Sequence, residues 1–209
     1  METYLTLLEK ADGEYTEKRS RFLATVLPCS TEEQANKILA EYRSAHWEAR
    51  HCVYAYLLRD GTVRFSDDGE PHGTAGKPIL EILRHSGLSD VMAVVVRYFG
   101  GILLGTGGLC RAYSAAAKDA VEAAQFVEMR PSVVYSLCCS YADHPRLLTE
   151  ISAVGGTVKQ SDFTENVLLT VAVGHENALS FEERIRETFG ARITPKAERK
   201  EYAPFFLKK

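Results

Sequence analysis

Residues 66–114 read SDDGEPHGTAGKPILEILRHSGLSDVMAVVVRYFGGILLGTGGLCRAYS, two glycine-rich loops around a short helix and a short apolar strand. Val91-Met-Ala-Val-Val-Val96 is a continuous apolar run. Such a run is the pattern of a central strand buried on both faces. Before it, Ile79, Leu80, Ile82 and Leu83 mark a helix over 74–85, with Pro78 in its first turn and Gly87 as its stop. After it, 108–126 reads as a long helix whose alanines at 112, 115, 116, 117, 120, 123 and 124 suit close packing on a sheet. Glycine is entropically costly and packs nothing. The glycines of both loops therefore imply close backbone approach, to a ligand or to another part of the chain.

Working outward, Thr3–Glu9 is a first strand or an irregular lead-in, and Asp12-Gly13 is a turn signal. Residues 21–27 form a strand stopped by Pro28. Ser30 or Thr31 caps a helix with Glu32 and Glu33 in its first turn and Ala35, Ile38, Leu39 and Tyr42 on one face. His51–Leu58 is β-prone, and Asp60-Gly61 turns it into a partner strand at 62–65. Met129-Arg130-Pro131 breaks the pattern and is read as a boundary between domains 1–130 and 131–209. The second domain reads strand 132–140, helix 144–154, strands 157–162 and 166–173, helix 175–189 and strand 191–198, with 202–209 as a tail. That order, βαββαβ, is the ferredoxin-like motif. The fold class is α+β, two two-layer sandwiches in series.

Composition narrows the function classes. Among 209 residues, 45% are hydrophobic and 25% charged, ordinary values for a globular protein. The net charge of −3 does not mark a general polyanion binder, although residues 192–209 carry a local balance of +4. Five cysteines without a CxxC pair read as reduced thiols in a cytoplasmic protein. No signal peptide and no membrane span are evident.

Several residues invite chemistry. Gly76-Lys77 resembles part of a phosphate loop, but Pro71 and Pro78 stand where glycine and Ser or Thr are required. A looser anion site survives, in which Gly73, Thr74, Gly76 and Lys77 open one helix and Gly105, Gly107 and Gly108 another, with Arg97 and Arg111 nearby. Asp67, Asp68, Glu70 and His72, with His51, are candidates for acid–base or metal chemistry, or for turns and helix caps. Tyr98-Phe99 beside Arg97, followed by Gly100 and Gly101, offers a stacking and cation platform for a base. Cys110, Cys138 and Cys139 read as packing residues. No cofactor and no metal is expected.

At KRSRFLA (18–24), HCVYAY (51–56), SDDGEPHGTAGKPIL (66–80) and RYFGGILLGTGGLCRAYSAA (97–116) the sequence resembles the IMPACT/YigZ family. The resemblance implies a first domain like the second domain of a small-subunit ribosomal protein and a ferredoxin-like second domain similar to domain V of elongation factor G. It also implies a role in translation, since the related eukaryotic domain acts in translational control. Two positions depart from the family: Cys52-Val53 replaces Asn-Cys after His51, and Leu103 replaces a lysine. The expected function is a cytoplasmic regulator that binds RNA, the ribosome or a translation-associated protein. The alternatives are an enzyme acting on a phosphorylated or nucleotide substrate around residues 67–72, and a pure protein-interaction module.

Overall fold

The computed structural model describes residues 2–206. They fall into two compact units, one of residues 4–127 and one of 128–206 together with the first few residues.

The first unit holds strands β1 (Tyr4–Leu7), β2 (Ala11–Glu17), β3 (Ser20–Pro28), β4 (His51–Leu57), β5 (Val63–Ser66) and β6 (Val91–Tyr98), with helices α1 (Glu32–Ala45), α2 (Gly76–Ser86) and α3 (Gly105–Ala123). Five strands form an antiparallel sheet in the order β2-β3-β6-β4-β5. The central position of β6 follows from its apolar run. Val91, Ala93 and Val95 pack toward α2 and α3, while Met92, Val94 and Val96 pack toward α1. Successive strand side chains point to opposite faces, so a strand covered on both sides needs no polar alternation. Thr31 caps α1 by accepting from the Gln34 amide, and Gly87 ends α2 in the left-handed conformation. Leu5 bridges Leu88 in parallel.

The Asp12-Gly13 turn expected from the sequence is absent. Both residues lie inside β2, paired with Thr25 and Ala24 of β3. Gly13 is there because α3 crosses it: a Cβ would stand 2.2 Å from the Ala120 amide nitrogen. The reversal is instead at Lys18 and Arg19, whose φ angles are +45° and +68°. Two consecutive left-handed residues are the mark of a hairpin turn usually written Asn-Gly. Helix α3 also begins and ends three residues earlier than its alanine pattern predicts.

The second unit holds β7 (Phe126–Cys139), α4 (His144–Ala153), β8 (Thr157–Phe163), β9 (Val167–Gly174), α5 (Ala178–Phe189) and β10 (Lys196–Phe206). Strands lie in the order β8-β9-β7-β10, the ferredoxin-like arrangement. Leu147, Ile151, Phe181 and Ile185 of the helices pack with Tyr135, Leu137, Leu169 and Val171 on one face.

Two readings are corrected here. Met129-Arg130-Pro131 does not break the secondary structure, because β7 runs through it, while the division between the units falls close by at 127/128. The stretch from Tyr202 to Phe206 is not a tail but the end of β10, with Ala203 buried. Its charges are partly matched, Lys196 to Glu198 and both Lys159 and Arg199 to Glu201. Lys208 and Lys209 lie outside the described residues.

Candidate functional site

The acidic loop after β5 is bound up in its own unit. The Asp67 carboxylate accepts from the amides of Gly73 (2.8 Å), Ala75 (3.1 Å) and Gly76 (2.8 Å). It thus occupies the place at the α2 N-terminus where an external anion would sit, because exposed amides and the helix dipole favour negative charge there. Asp68 accepts from the Cys52 amide at 2.7 Å and pairs with Arg43 at 3.1 Å. Its carbonyl accepts a hydrogen bond from His51 Nδ1 at 2.7 Å, which fixes the imidazole tautomer. Thr74 is buried and donates to the Pro71 carbonyl at 2.6 Å.

Glu70 is buried at the centre of a polar cluster. Its Oε1 accepts from Arg97 Nη1 at 2.6 Å and from the Tyr113 hydroxyl at 2.8 Å, with His51 Nε2 3.7 Å away. Burial, reinforced by the Glu70 charge, pushes the Tyr113 phenol far above its usual range. Arg97 lies 5.5 Å from the ring centres of both Phe22 and Phe99, and its Nε is buried without a hydrogen-bond partner. Burial likewise raises the Cys52 thiol to about 11, which keeps it protonated at neutral pH. The carboxylates of 67–70 thus hold backbone amides, Arg43 and Arg97, and among the described residues no cluster of three or more His, Cys, Asp or Glu is placed to hold a metal ion.

The glycines fall into three groups. Gly76 and Gly100 are forced by other backbone: a Cβ would stand 2.8 Å from the Ser66 carbonyl oxygen and 2.1 Å from the Arg19 carbonyl carbon. Gly73 sits beside α3, its carbonyl facing the Cys110 thiol, while Gly108 is buried in the first turn of that helix. Gly101, Gly105 and Gly107 are exposed, and the Arg111 guanidinium folds back to 3.6 Å from the Cβ position of Gly107. Lys77 and His72 are exposed at the other loop; the imidazole lies 3.8 Å from Asp67. Leu104, at the α3 N-cap, supplies no side-chain cap.

A different cluster stands at one end of the first sheet. Register pairs Arg21 with Tyr98 and His51 with Arg97, and the Arg50 amide donates to the Arg97 carbonyl. Gly100 packs on Arg19. The 18–19 turn, the 46–50 turn and the segment after β6 therefore meet there. Phe99 is exposed with Arg50 5.8 Å from its ring centre; Trp47 is 77% exposed and Leu103 82%. Tyr98 is held in place by His46, whose Nδ1 lies 2.9 Å from its hydroxyl. Lys18 and Arg19 are exposed at the strained turn. Trp47, Lys18, Arg19 and Arg50 were not singled out from the sequence. The lone tryptophan just after an amphipathic helix was the available signal.

On the face of the second sheet away from α4 and α5, Cys138 and Leu168 are exposed, while Val134 and Ala172 are buried. Cys139 is buried, but Cys138 is exposed there, against its reading as a packing residue. No described helix is long and apolar enough to cross a membrane.

Residues 18–121 match the Impact N-terminal domain, and residues 137–192 match a domain of unknown function, DUF1949. The chain is 33% identical over 189 residues to the IMPACT family member YvyE of Bacillus subtilis, covering 90% of this chain and 87% of that protein. It is 36% identical over 174 residues to the IMPACT family member YigZ of Escherichia coli, covering 81% and 85%. Protein IMPACT of Rattus norvegicus aligns over 95 residues at 36% identity, 43% of this chain and 30% of that protein. A crystal structure described as that of a hypothetical protein superposes with a TM-score of 0.62 at 33% identity, over 96% of this chain and all of the other. The chain belongs to the IMPACT family.

Proposed function

We propose that this protein binds single-stranded RNA, as part of a role in translation, at the sheet end formed by residues 18–19, 47–50 and 97–101. The carrying observation is Phe99, exposed with the Arg50 guanidinium over its ring, with Trp47 exposed in the turn that leads to Arg50. Exposed aromatic rings among arginines match the way bases stack while cations neutralise the backbone. Lys18 and Arg19 add charge at the same end. Gly105, Gly107 and Arg111 are available to extend the path along α3. The translational role rests on the family resemblance.

The test is co-sedimentation with ribosomes and subunits at low and moderate salt, paired with anisotropy of a labelled 12-nucleotide single-stranded RNA. Phe99→Ala is expected to weaken RNA binding by about 1–3 kcal/mol, the worth of one stacked base. If Lys18, Arg19 and Arg50 each neutralise a phosphate, log K falls against log salt with a slope of about −2. No association at low salt overturns the reading. Ile102 and Leu103, both exposed, favour a second reading as a protein-docking face. Ribosome association that ignores salt but is lost in Leu103→Asp would select it.

A further inference from the structure

Helix α1 covers only part of its face of the first sheet. It packs over β4 and β6, and β2 with the adjoining part of β3 is left open beside it. A groove of about 440 Å³ lies there. Its floor is Leu23, Thr25 and Val96, and its wall is Tyr42 and His46, whose rings stack at 6.0 Å with 20° between their planes. The volume is near the lower end of the roughly 300–1,000 Å³ of small-ligand sites, enough for one long side chain and its waters.

Three carboxylates border this apolar floor: Asp12, Glu14 and Asp119. Asp12 and Glu14 lie two apart on β2 and so point to the same face. Glu14 is already matched by Arg21, at 3.1 Å from Nε. Asp12 accepts from the Thr25 hydroxyl at 2.6 Å, and Asp119 from the Glu14 amide at 2.9 Å. Among the described residues no ion pair matches either. The groove therefore carries more negative charge than its single guanidinium offsets, around aromatic and aliphatic surface. An anion is repelled here, which separates the groove from the RNA platform.

We propose that this groove binds an arginine side chain presented by a basic segment of a partner polypeptide. A planar guanidinium stacks on an aromatic ring while its N–H fork meets a carboxylate, which a compact ammonium does less well. Tyr42 supplies the ring, Asp12 the second carboxylate oxygen, and the partly buried Leu23 the surface for the methylene stem. The Arg21–Glu14 pair shows the same recognition already made at the rim by the chain's own side chain.

The experiment is a ¹⁵N–¹H titration of the full-length protein with N-acetyl-arginine amide, its neutral isostere N-acetyl-citrulline amide, and spermidine. Saturable shifts centred on Asp12, Thr25 and Tyr42 are expected with the arginine amide, with citrulline at least about fivefold weaker because the charge-assisted bond is lost. Asp12→Asn, which keeps an acceptor for Thr25, and Tyr42→Leu are each expected to weaken binding about fivefold. Equal binding of citrulline, shifts spread over acidic surface outside the groove, or spermidine binding tighter than the arginine amide would overturn the proposal. The two amides are compared on the unaltered chain, so the result stands even where a variant fails to fold. The groove includes none of Trp47, Phe99 or Lys18, so its test and that of the RNA platform fail separately.

Discussion

Glu70 places a carboxylate where water cannot reach it and surrounds it with Arg97, Tyr113 and His51. Removing one partner of a buried pair leaves the other charge uncompensated, which typically costs about 3–5 kcal/mol. Glu70→Ala is expected to lose that much in urea unfolding, and Glu70→Gln less, because the amide keeps an acceptor for the Tyr113 hydroxyl. If Glu70→Ala unfolds at the same urea concentration as the parent chain, the cluster is not structural and a chemical role for the loop regains support. The acidic loop shows where residue-level reading stops. Asp67, Asp68 and Glu70 were legible as a cluster that needs partners. That their partners are amides of α2, the Cys52 amide and Arg97 follows from contacts up to 27 residues apart.

At the scale of the element, the β2–β3 hairpin carries an observable conflict. Lys18 and Arg19 sit in left-handed conformations that β-carbon-bearing residues adopt at a cost of about 1 kcal/mol or more each. Two cations stand there in place of Asn-Gly, and in the proposed RNA site their charge would offset that strain. The double variant Lys18→Asn, Arg19→Gly is expected to raise the melting temperature while weakening RNA binding. A variant that gains stability and keeps full affinity would remove the hairpin from the binding surface. Element types were largely readable from periodicity: β6, α1, α2 and the βαββαβ order follow the pattern, although the last strand runs 196–206 and not 191–198. β2 was not, because Asp12-Gly13 carries a strong local turn signal that packing against α3 overrides.

For the whole molecule, the buried phenols couple folding to alkaline pH. Burial, with the Glu70 charge second, raises Tyr113, and burial with a bond to Glu182 raises Tyr135. An unfolded tyrosine loses its proton near pH 10, at about its reference value. The folded protein therefore holds protons that the unfolded chain releases. The stability from these groups is complete below about pH 10 and declines as pH rises beyond it. Unfolding free energy measured from pH 8 to 11.5 should show that decline, with a shallower slope in Tyr113→Phe. An unchanged slope in that variant would mean Tyr113 does not control alkaline unfolding. The two units own separate cores, 4–127 around β6 and 128–206 around β7 and β9.

What the amino-acid order determined by itself was local and periodic. The apolar run 91–96 required a doubly covered strand, alanine spacing required a close-packed helix, and alternation between periods of 2 and 3.6 set the second unit. These depend on neighbours within a few residues, whose geometry the backbone fixes. Tertiary structure alone decided which glycine faces a helix and which faces solvent, which carboxylates close on their own chain, and which aromatic rings stay exposed. Those outcomes depend on distances between segments far apart in sequence, such as Gly13 against Ala120 and Gly100 against Arg19. No local pattern encodes them, because the energy that selects them exists only once the segments have packed.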